Sequence, residues 1–268
     1  MRDAPPKSTT ALVLAGERLV GDGLARDAKV AHKSLLQVKG VPMLVRVVRC
    51  VAAVPGVGRI LVSARSPDLL EAHPELSRLR DAGIIEYQRS AESPATSVQE
   101  VLSRREFPGP LLVTTSDHPL LAPDMVEHFC GEAERSGAEV VAAVVSDSVF
   151  RARFPDARRT FIPLRGESVT GANLFWFRSS EGAGAAGFWR RTEPVRKSPW
   201  RLAGLFGASA LTLFALRRLG LEDVTRRMSE RLGISVTVIR LPYPECGLDV
   251  DRPDDLALAE RVLAEAGG

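Results

Sequence analysis

The 268-residue sequence has few cysteines, few histidines and no long apolar run. Its three cysteines, Cys50, Cys130 and Cys246, are too few and too widely spaced for a disulfide framework or a zinc signature, so we expect a reducing, cytoplasmic compartment. The four histidines lack a metal-binding spacing such as HExxH. The longest nearly uncharged apolar run, residues 203–216, is shorter than the roughly 18 residues of a spanning helix, and the first residues lack the apolar stretch of a secretory signal. We therefore expect no transmembrane segment.

The excess of positive charge is small over the whole chain and concentrated in one segment. Lys and Arg total 36 against 33 for Asp and Glu, a net charge of +3 that does not indicate a nucleic-acid partner. Residues 150–201 hold eleven basic and four acidic residues, a local charge of +7. This basic segment is a candidate for contact with an anion, although a solvated surface is the favoured interpretation for any single side chain. The candidates are Arg158, Arg159, Arg165, Arg190, Arg191, Arg196, Lys197 and Arg201.

Strand-like and helix-like patterns alternate through the first 145 residues. Short apolar runs predict buried strands at 10–15, 59–63, 84–87, 111–115 and 140–145. Apolar residues at helical spacing predict helices at 42–54, 67–81, 97–104 and 124–136. This order predicts an α/β fold: a three-layer, Rossmann-like, mostly parallel sheet with helices on both faces and ligands at the carboxyl ends of the strands.

The regular alternation ends near residue 150. Beyond it, the sequence predicts strands at 159–163, 172–177 and 235–241, and helices near 186–191, 199–218, 222–232 and 253–266. We predict a single domain over residues 1–268 with a basic insertion at about 150–232. Within it, the apolar helix at 202–219 ends in two arginines, a pattern compatible with core packing, which we favour, or with a membrane-surface contact.

A glycine-containing loop follows the first predicted strand. Gly16 ends the strand, and the loop delivers Arg26 and Lys33 just before a helix, a common way to build a cradle for phosphates. The loop matches neither GxxxxGK[ST] nor GxGxxG. An ordinary surface loop with a solvated lysine remains the alternative.

Acidic residues follow a buried strand and precede the last helix. Asp117 comes directly after the strand at 111–115, and Asp249 and Asp251 lie in GLDVDRPDDL, where extended backbone would place them on one face. One or two carboxylates and a substrate phosphate suffice for Mg²⁺, so Asp117 and one later aspartate are candidate ligands. The alternative for each aspartate is helix capping or turn formation.

Four segments in this order resemble one superfamily. The first segment resembles the N-terminal signature of nucleotidyltransferases with a glycosyltransferase-A-like fold: it reads ALVLAG, then Arg26 and Lys33, then KSLLQVKGVPMLVRVV. This superfamily includes molybdenum cofactor guanylyl- and cytidylyltransferases and sugar-phosphate and polyol-phosphate nucleotidyltransferases. TTSDHPLL resembles the metal-aspartate segment, GANLFWFR the strand with an acceptor-side asparagine, and GLDVDRPDDLALAE the C-terminal segment. The resemblance implies an NTP transferase domain of the nucleotide-diphospho-sugar transferase type.

The resemblance also implies roles for the matching residues. Leu14, Ala15 and Gly16 would line the base and ribose, and Thr96, Ser97 and Asp117 would contact the nucleotide. Arg26 and Lys33 would hold the triphosphate and act in catalysis, while Asp117 and Asp251 would bind Mg²⁺. Asn173 would contact the acceptor, and we add Arg159 and Lys197 from the basic segment as further acceptor-side candidates.

The implied activity is transfer of an NMP from an NTP, CTP or GTP being favoured, to a phosphorylated small molecule such as a sugar or polyol phosphate, with release of pyrophosphate. Three alternatives stay open. They are a molybdopterin cytidylyl- or guanylyltransferase, a glycosyltransferase on the same fold, and a catalytically silent nucleotide-binding protein in which Gly16-Glu17 replaces the family's glycine pair. The sequence leaves the acceptor and the oligomeric state open, including a homodimer.

Overall fold

An eight-stranded mixed sheet lies at the centre of the computed structural model, which describes residues 9–16, 24, 28, 30–104, 109–192, 198–205 and 207–266. The strands are β1 (Thr9–Leu14), β2 (Gln37–Val38), β3 (Val41–Pro42), β4 (Val57–Ala64), β5 (Ile85–Arg89), β6 (Leu111–Thr115), β7 (Val140–Ser146), β8 (Ile162–Leu164), β9 (Glu167–Phe177) and β10 (Val236–Arg240). Strands β2 and β3 form a separate hairpin. The others follow the order β10-β7-β9-β6-β1-β4-β5, with β8 paired to β9.

Helices cover both faces of this sheet. They are α1 (Met43–Ala52), α2 (Asp68–Glu71), α3 (Pro74–Asp81), α4 (Pro94–Leu102), α5 (Pro123–Ser136), α6 (Asp147–Arg153), α7 (Ala183–Thr192), α8 (Pro199–Gly204), α9 (Ala208–Ala215), α10 (Leu221–Leu232) and α11 (Pro253–Ala266). Helices α1, α2, α3, α5, α6 and α11 contribute to one core layer, and α4, α7 and α10 to the other. Among the described helices, none combines the length and apolarity needed to cross a bilayer.

The apolar runs form buried strands because both faces of the sheet are covered. In β1, Ala11 and Val13 face one core layer, and Leu12 and Leu14 face the other. Strand β1 pairs in parallel with β4 and β6, β4 with β5, and β7 with β10. The predicted three-layer, mostly parallel α/β fold is therefore confirmed.

The second half of the chain departs from the predicted elements at β8 and β9. Strand β9 runs antiparallel between β6 and β7, so the basic segment supplies a central strand of the sheet. The strand predicted at 159–163 is wrong in its bounds, since β8 covers Ile162–Leu164. Arg159 lies before β8, and its side chain bonds to Asp249 in the turn before α11.

Two predicted helices are each divided in the structure. The helix at 199–218 is wrong as one element: Gly207 lies between α8 and α9 with φ of +92°, outside the right-handed helical region. The helix at 67–81 divides at His73, which caps α3 just before Pro74. The N-terminus of α4 is set by Ser93, whose hydroxyl accepts a hydrogen bond from Thr96 N, so this helix begins before the predicted residue 97.

Candidate active site

Three charged side chains from distant parts of the chain meet at the carboxyl edge of the sheet. Lys33 Nζ lies 3.2 Å from Asp117 Oδ2 and 2.7 Å from Asp251 Oδ1. All three side chains are partly exposed, at 16%, 22% and 33% respectively. We call this group the lysine cluster. Its ammonium lies between two carboxylates, and the partial exposure of all three side chains leaves the cluster accessible to solvent.

Strand β6 and the turn before α11 position the two aspartates. Asp117 follows the last residue of β6, and Thr115 Oγ1 donates a 2.6 Å hydrogen bond to its Oδ1. The backbone N–H of Val250 donates to the carbonyl of Asp117 at 2.9 Å, which fastens the turn to the end of the strand. The buried carboxylate of Asp255 accepts from the backbone N–H groups of Asp251 and Arg252. These bonds fix the backbone beneath both carboxylates.

A single 3₁₀ turn, Lys33–Leu35, positions the lysine. Its N-cap is His32, whose Nδ1 accepts from Ser34 N at 3.0 Å. The hydroxyl groups of Ser34 and Ser116 lie 2.6 Å apart in a buried hydrogen bond. Because Ser116 directly precedes Asp117, this bond links the lysine's turn to the residue next to its carboxylate partner.

The electrostatics of the lysine cluster keep its lysine and Asp117 ionised at neutral pH. Burial opposes a charge on Lys33, but attraction to Asp117 and Asp251 outweighs it and raises the pKa of the ammonium above its ordinary value. Burial likewise acts to raise the pKa of Asp117, yet Lys33, His118 and the Thr115 hydroxyl outweigh it, so this pKa is lowered. A charged lysine next to charged carboxylates is suited to meet phosphate oxygens and a cation together.

A second ion pair holds the same turn from the other side. The guanidinium of Arg159 bonds to a carboxylate oxygen of Asp249 and donates to its backbone carbonyl at 2.8 Å. The side chain of Arg159 is only 9% exposed, against 24% for Asp249. We call this pair the arginine clamp. Because it grips both backbone and side chain, it fixes the turn that carries Asp251.

A buried histidine connects the two groups. His118 is 1% exposed, and its Nε2 lies 2.9 Å from Asn173 Nδ2. Burial lowers the pKa of the imidazole, against the opposing attraction of Asp249 and Asp117. Ligand atoms of Asp117, His118 and Asp249 lie within 4.8 Å of one another. Asn173 takes a left-handed backbone conformation, with φ of +48°, on the irregular stretch of β9 beside β7.

The residues predicted to line the base and ribose lie at the same edge. The carbonyl of Leu14 accepts from Ser116 N at 3.0 Å, and Ala15 N donates to the carbonyl of Ser63 at 2.8 Å. The Leu14 side chain itself points into the core. Gly16 is exposed directly after Ala15, so this segment offers backbone rather than side chains to a ligand.

Thr96 and Ser97 lie in the first turn of α4, where both bond to the local backbone or cap. The Thr96 hydroxyl is 3.1 Å from that of Ser93, and the buried Ser97 hydroxyl accepts from Ala91 N at 2.9 Å. Their predicted contact with a nucleotide stays a prediction. Arg26 and Lys197 lie outside the described residues.

Sequence reasoning missed the place of His118 and the partner of Arg159. The histidines lack a metal-binding spacing and so gave no indication that His118 is buried beside Asp117 at the carboxyl edge of the sheet. Its position directly after the strand-ending aspartate is the signal that indicates it. Nothing in the sequence indicated that Arg159 pairs with Asp249, because 90 residues separate them and either side chain could have been on the surface.

The fold and the lysine cluster define an α/β protein in which a lysine and two aspartates meet at the carboxyl edge of the sheet. We call this the ligand edge, because open α/β folds bind their ligands there. A family model for the MobA-like NTP transferase domain matches residues 11–231, and the chain belongs to this family. A solved structure described as a hypothetical transferase from Thermus thermophilus is 31% identical, with a TM-score of 0.73, over 92% of this chain and 99% of that one. The predicted family resemblance is confirmed.

Curated relatives and a further solved structure are more distant. A 2-C-methyl-D-erythritol 4-phosphate cytidylyltransferase from Acidobacterium capsulatum is 25% identical over 48% of this chain and 56% of its own length. The same-named protein from Solibacter usitatus is 28% identical over 48% of this chain and 54% of its own length. The chain thus spans about half the length of these curated relatives. A CMP:2-keto-3-deoxy-manno-octonic acid synthetase complexed with CTP has a TM-score of 0.57 at 17% identity, over 97% of this chain and 99% of that one, and shows a shared fold.

Proposed function

We propose that the protein is a Mg²⁺-dependent nucleotidyltransferase that joins the NMP of an NTP to a phosphorylated small molecule and releases pyrophosphate. The convergence of Lys33, Asp117 and Asp251 at the ligand edge of the sheet carries this proposal. CTP is the first candidate, ahead of GTP, because the curated relatives are named cytidylyltransferases and one structural neighbour was solved with CTP. A sugar or polyol phosphate is the first candidate acceptor, since both relatives are named for such a substrate.

The reaction forms one bond and breaks one. An oxygen of the acceptor phosphate attacks the α-phosphorus of the NTP, and the bond from that phosphorus to the oxygen bridging to the β-phosphorus breaks. Pyrophosphate leaves with the electron pair. This transfer needs positioning and charge neutralisation more than a protein nucleophile. The thiols of Cys50, Cys130 and Cys246 fit this view, because burial raises the pKa of each to about 12.

Lys33 is the residue that we assign to the developing negative charge. Its ammonium is held within hydrogen-bond distance of two carboxylates and carries its proton firmly, so it adds fixed positive charge where the triphosphate would lie. Arg26 is proposed to share this role. The exposed backbone of Gly16 would meet the nucleoside, with Leu14, Ala15, Thr96, Ser97 and Asp117 around it.

The lysine cluster also fits a hard divalent cation. Its Asp117 and Asp251 carboxylates already converge on one cationic atom, and oxygen donors of this kind suit Mg²⁺. When bound, Mg²⁺ supplies positive charge to the phosphate oxygens and polarises them.

The acceptor side is assigned to Asn173 and Lys197, with a changed role for Arg159. Arg159 would reach an acceptor phosphate only by leaving both of its bonds to Asp249. We therefore assign it to holding the turn that carries Asp251. The amide of Asn173 already bonds to His118 at the ligand edge, a position from which it can meet an acceptor.

Pyrophosphate release is the direct test. The protein is incubated with Mg²⁺ and ATP, CTP, GTP or UTP against sugar phosphates, polyol phosphates and molybdopterin, with Asp117→Asn as the matched control. We expect release with CTP and one sugar or polyol phosphate, and none from the control. Release only with molybdopterin would favour the molybdopterin cytidylyl- or guanylyltransferase alternative. Nucleotide-dependent thermal stabilisation without release from any acceptor would favour the silent binding protein, and no stabilisation by any NTP would contradict both.

A further inference from the structure

We infer that helices α8 and α9 with their flanking turns form a docking surface for an anionic membrane. Large apolar side chains are exposed there rather than packed: Trp200 is 56% exposed, Leu216 is 61% exposed and Leu211 is 37% exposed. These are three of the four large apolar side chains found exposed among the described residues. We call them, with Arg201, Arg217 and Arg218, the α8–α9 patch.

The patch is held firmly from beneath. A small core of its own, made by Ala203, Ala210, Phe214 and Leu219, packs against Ile162 of β8 and Val224 of α10. The Trp200 ring stands edge-on to the Phe214 ring, with centroids 5.0 Å apart. The exposed apolar groups are therefore fixed in place by a packed layer, and their exposure is not a consequence of local unfolding.

The charge of the sequence segment that carries the patch is of one sign. Residues 194–221 contain five basic residues and no aspartate or glutamate. Arg201, Arg217 and Arg218 are all exposed. Exposed apolar and aromatic side chains in a segment with arginines and no acidic residue complement the interface of a bilayer that carries anionic headgroups. A protein partner with a matching apolar face would not require this uniform charge.

The patch lies beyond the ligand edge of the sheet. Val169 of β9 pairs with Ser146, the last residue of β7, so the start of β9 extends past the end of that strand. Strand β8 pairs with this extension, and Arg165 N, in the β8–β9 turn, donates to the carbonyl of Leu219 at 2.8 Å. A surface docked through the patch would therefore face the same edge that carries the lysine cluster.

Vesicle binding tests this inference without any nucleotide, so its outcome is independent of the proposed reaction. The full chain is sedimented with vesicles of phosphatidylglycerol and phosphatidylcholine, and with phosphatidylcholine alone. We expect binding to the anionic vesicles that weakens as salt rises. Leu216→Glu is expected to lower the partition coefficient about tenfold or more, through lost apolar burial and added repulsion. Arg217→Gln is expected to lower it about fivefold.

Matched variants on other surfaces provide the controls. Ile84 is 42% exposed and directly precedes β5, which is an outermost strand of the sheet and is not adjacent to β8 or β9. We therefore expect Ile84→Glu to leave vesicle binding unchanged. Arg261→Gln removes one exposed charge from α11 and is expected to have little effect. Trp200 provides a direct signal, because Trp176 is buried and Trp189 is partly buried. A blue shift of emission with anionic vesicles, lost in Trp200→Phe, would place the patch at the lipid.

Three results would overturn the inference. The first is no sedimentation with anionic vesicles, and the second is equal loss of binding in Leu216→Glu and Ile84→Glu. The third is a concentration-dependent dimer in sedimentation velocity that Leu216→Glu abolishes, which would show that the patch meets a second copy of the chain. Thermal unfolding of each variant confirms that it is folded, as expected for changes at exposed positions.

Discussion

Two aspartates in one extended turn, Asp249 and Asp251, bond to different partners, and the partner of Asp249 is held more rigidly than the partner of Asp251. Leu248 and Val250 are fully buried, so the alternating aspartates face the ligand edge together, as the spacing predicts. Asp251 lies in the lysine cluster, where its carboxylate bonds to the Lys33 ammonium and the side chains stay partly exposed. Asp249 lies in the arginine clamp, where a nearly buried guanidinium also bonds to backbone. The difference separates groups that can exchange a partner for a ligand from groups that hold the frame.

Replacing Asp117 is expected to give the largest effect on the lysine cluster. Asp117→Asn keeps the size of the side chain but removes its charge, so it weakens both the proposed cation site and the hold on Lys33. We expect pyrophosphate release to fall at least about a thousandfold. The unfolding midpoint is expected to change little, because Lys33 keeps Asp251. Unchanged release would remove Asp117 from the reaction.

Lys33→Met is expected to lower turnover by about a hundredfold or more and to change the response to Mg²⁺. Without the ammonium, Asp117 and Asp251 repel each other and gain more from a divalent cation. Mg²⁺ should therefore raise the unfolding temperature of Lys33→Met more than that of the unsubstituted protein. The double variant that adds Asp251→Asn is the control and should lose this extra stabilisation. An equal Mg²⁺ response in all three proteins would argue against the site.

The arginine clamp should respond in the opposite way, with stability changing more than turnover. Arg159→Ala leaves the carboxylate of Asp249 partly buried without its guanidinium, which we expect to cost about 3 kcal/mol in the free energy of unfolding. Turnover at a temperature where the variant is folded should fall about tenfold or less. Arg159→Lys, which cannot make both bonds as a fork, should be intermediate. Urea denaturation and pyrophosphate release measure the two effects. A raised KM for the acceptor with unchanged stability would instead support Arg159 as an acceptor ligand.

Asn173 is expected to show the smallest effect of the four. Asn173→Ala loses the bond to His118 and places a less suitable residue in the left-handed conformation, at a cost of about 1–2 kcal/mol. Asn173→Gly removes the backbone part of that cost. If the amide meets the acceptor, both variants should raise the KM for the acceptor while the KM for the NTP stays the same. A change in stability alone would limit Asn173 to supporting His118.

Much of the frame could be predicted from sequence, because buried parallel strands have a clear signature. The run at 111–115 matches β6, and it correctly placed Asp117 at the ligand edge. The antiparallel insertion of β9 could not be predicted, since its alternation says nothing of direction or neighbours. The partners of the two aspartates could not be predicted from sequence either. The Lys33–Asp251 and Arg159–Asp249 pairs join residues that are 218 and 90 positions apart. Such pairings depend on how the whole chain packs.

The hydrogen bond from Val250 N to the carbonyl of Asp117 has a consequence for the stage of protein synthesis at which the site can form. The residues that supply Lys33 and Asp117 leave the ribosome long before Asp251. A nascent chain that ends between residues 117 and 251 has the lysine and one carboxylate but lacks the second carboxylate and the turn that aligns it. The site therefore forms only late in synthesis, and unfinished chains lack the complete charge arrangement.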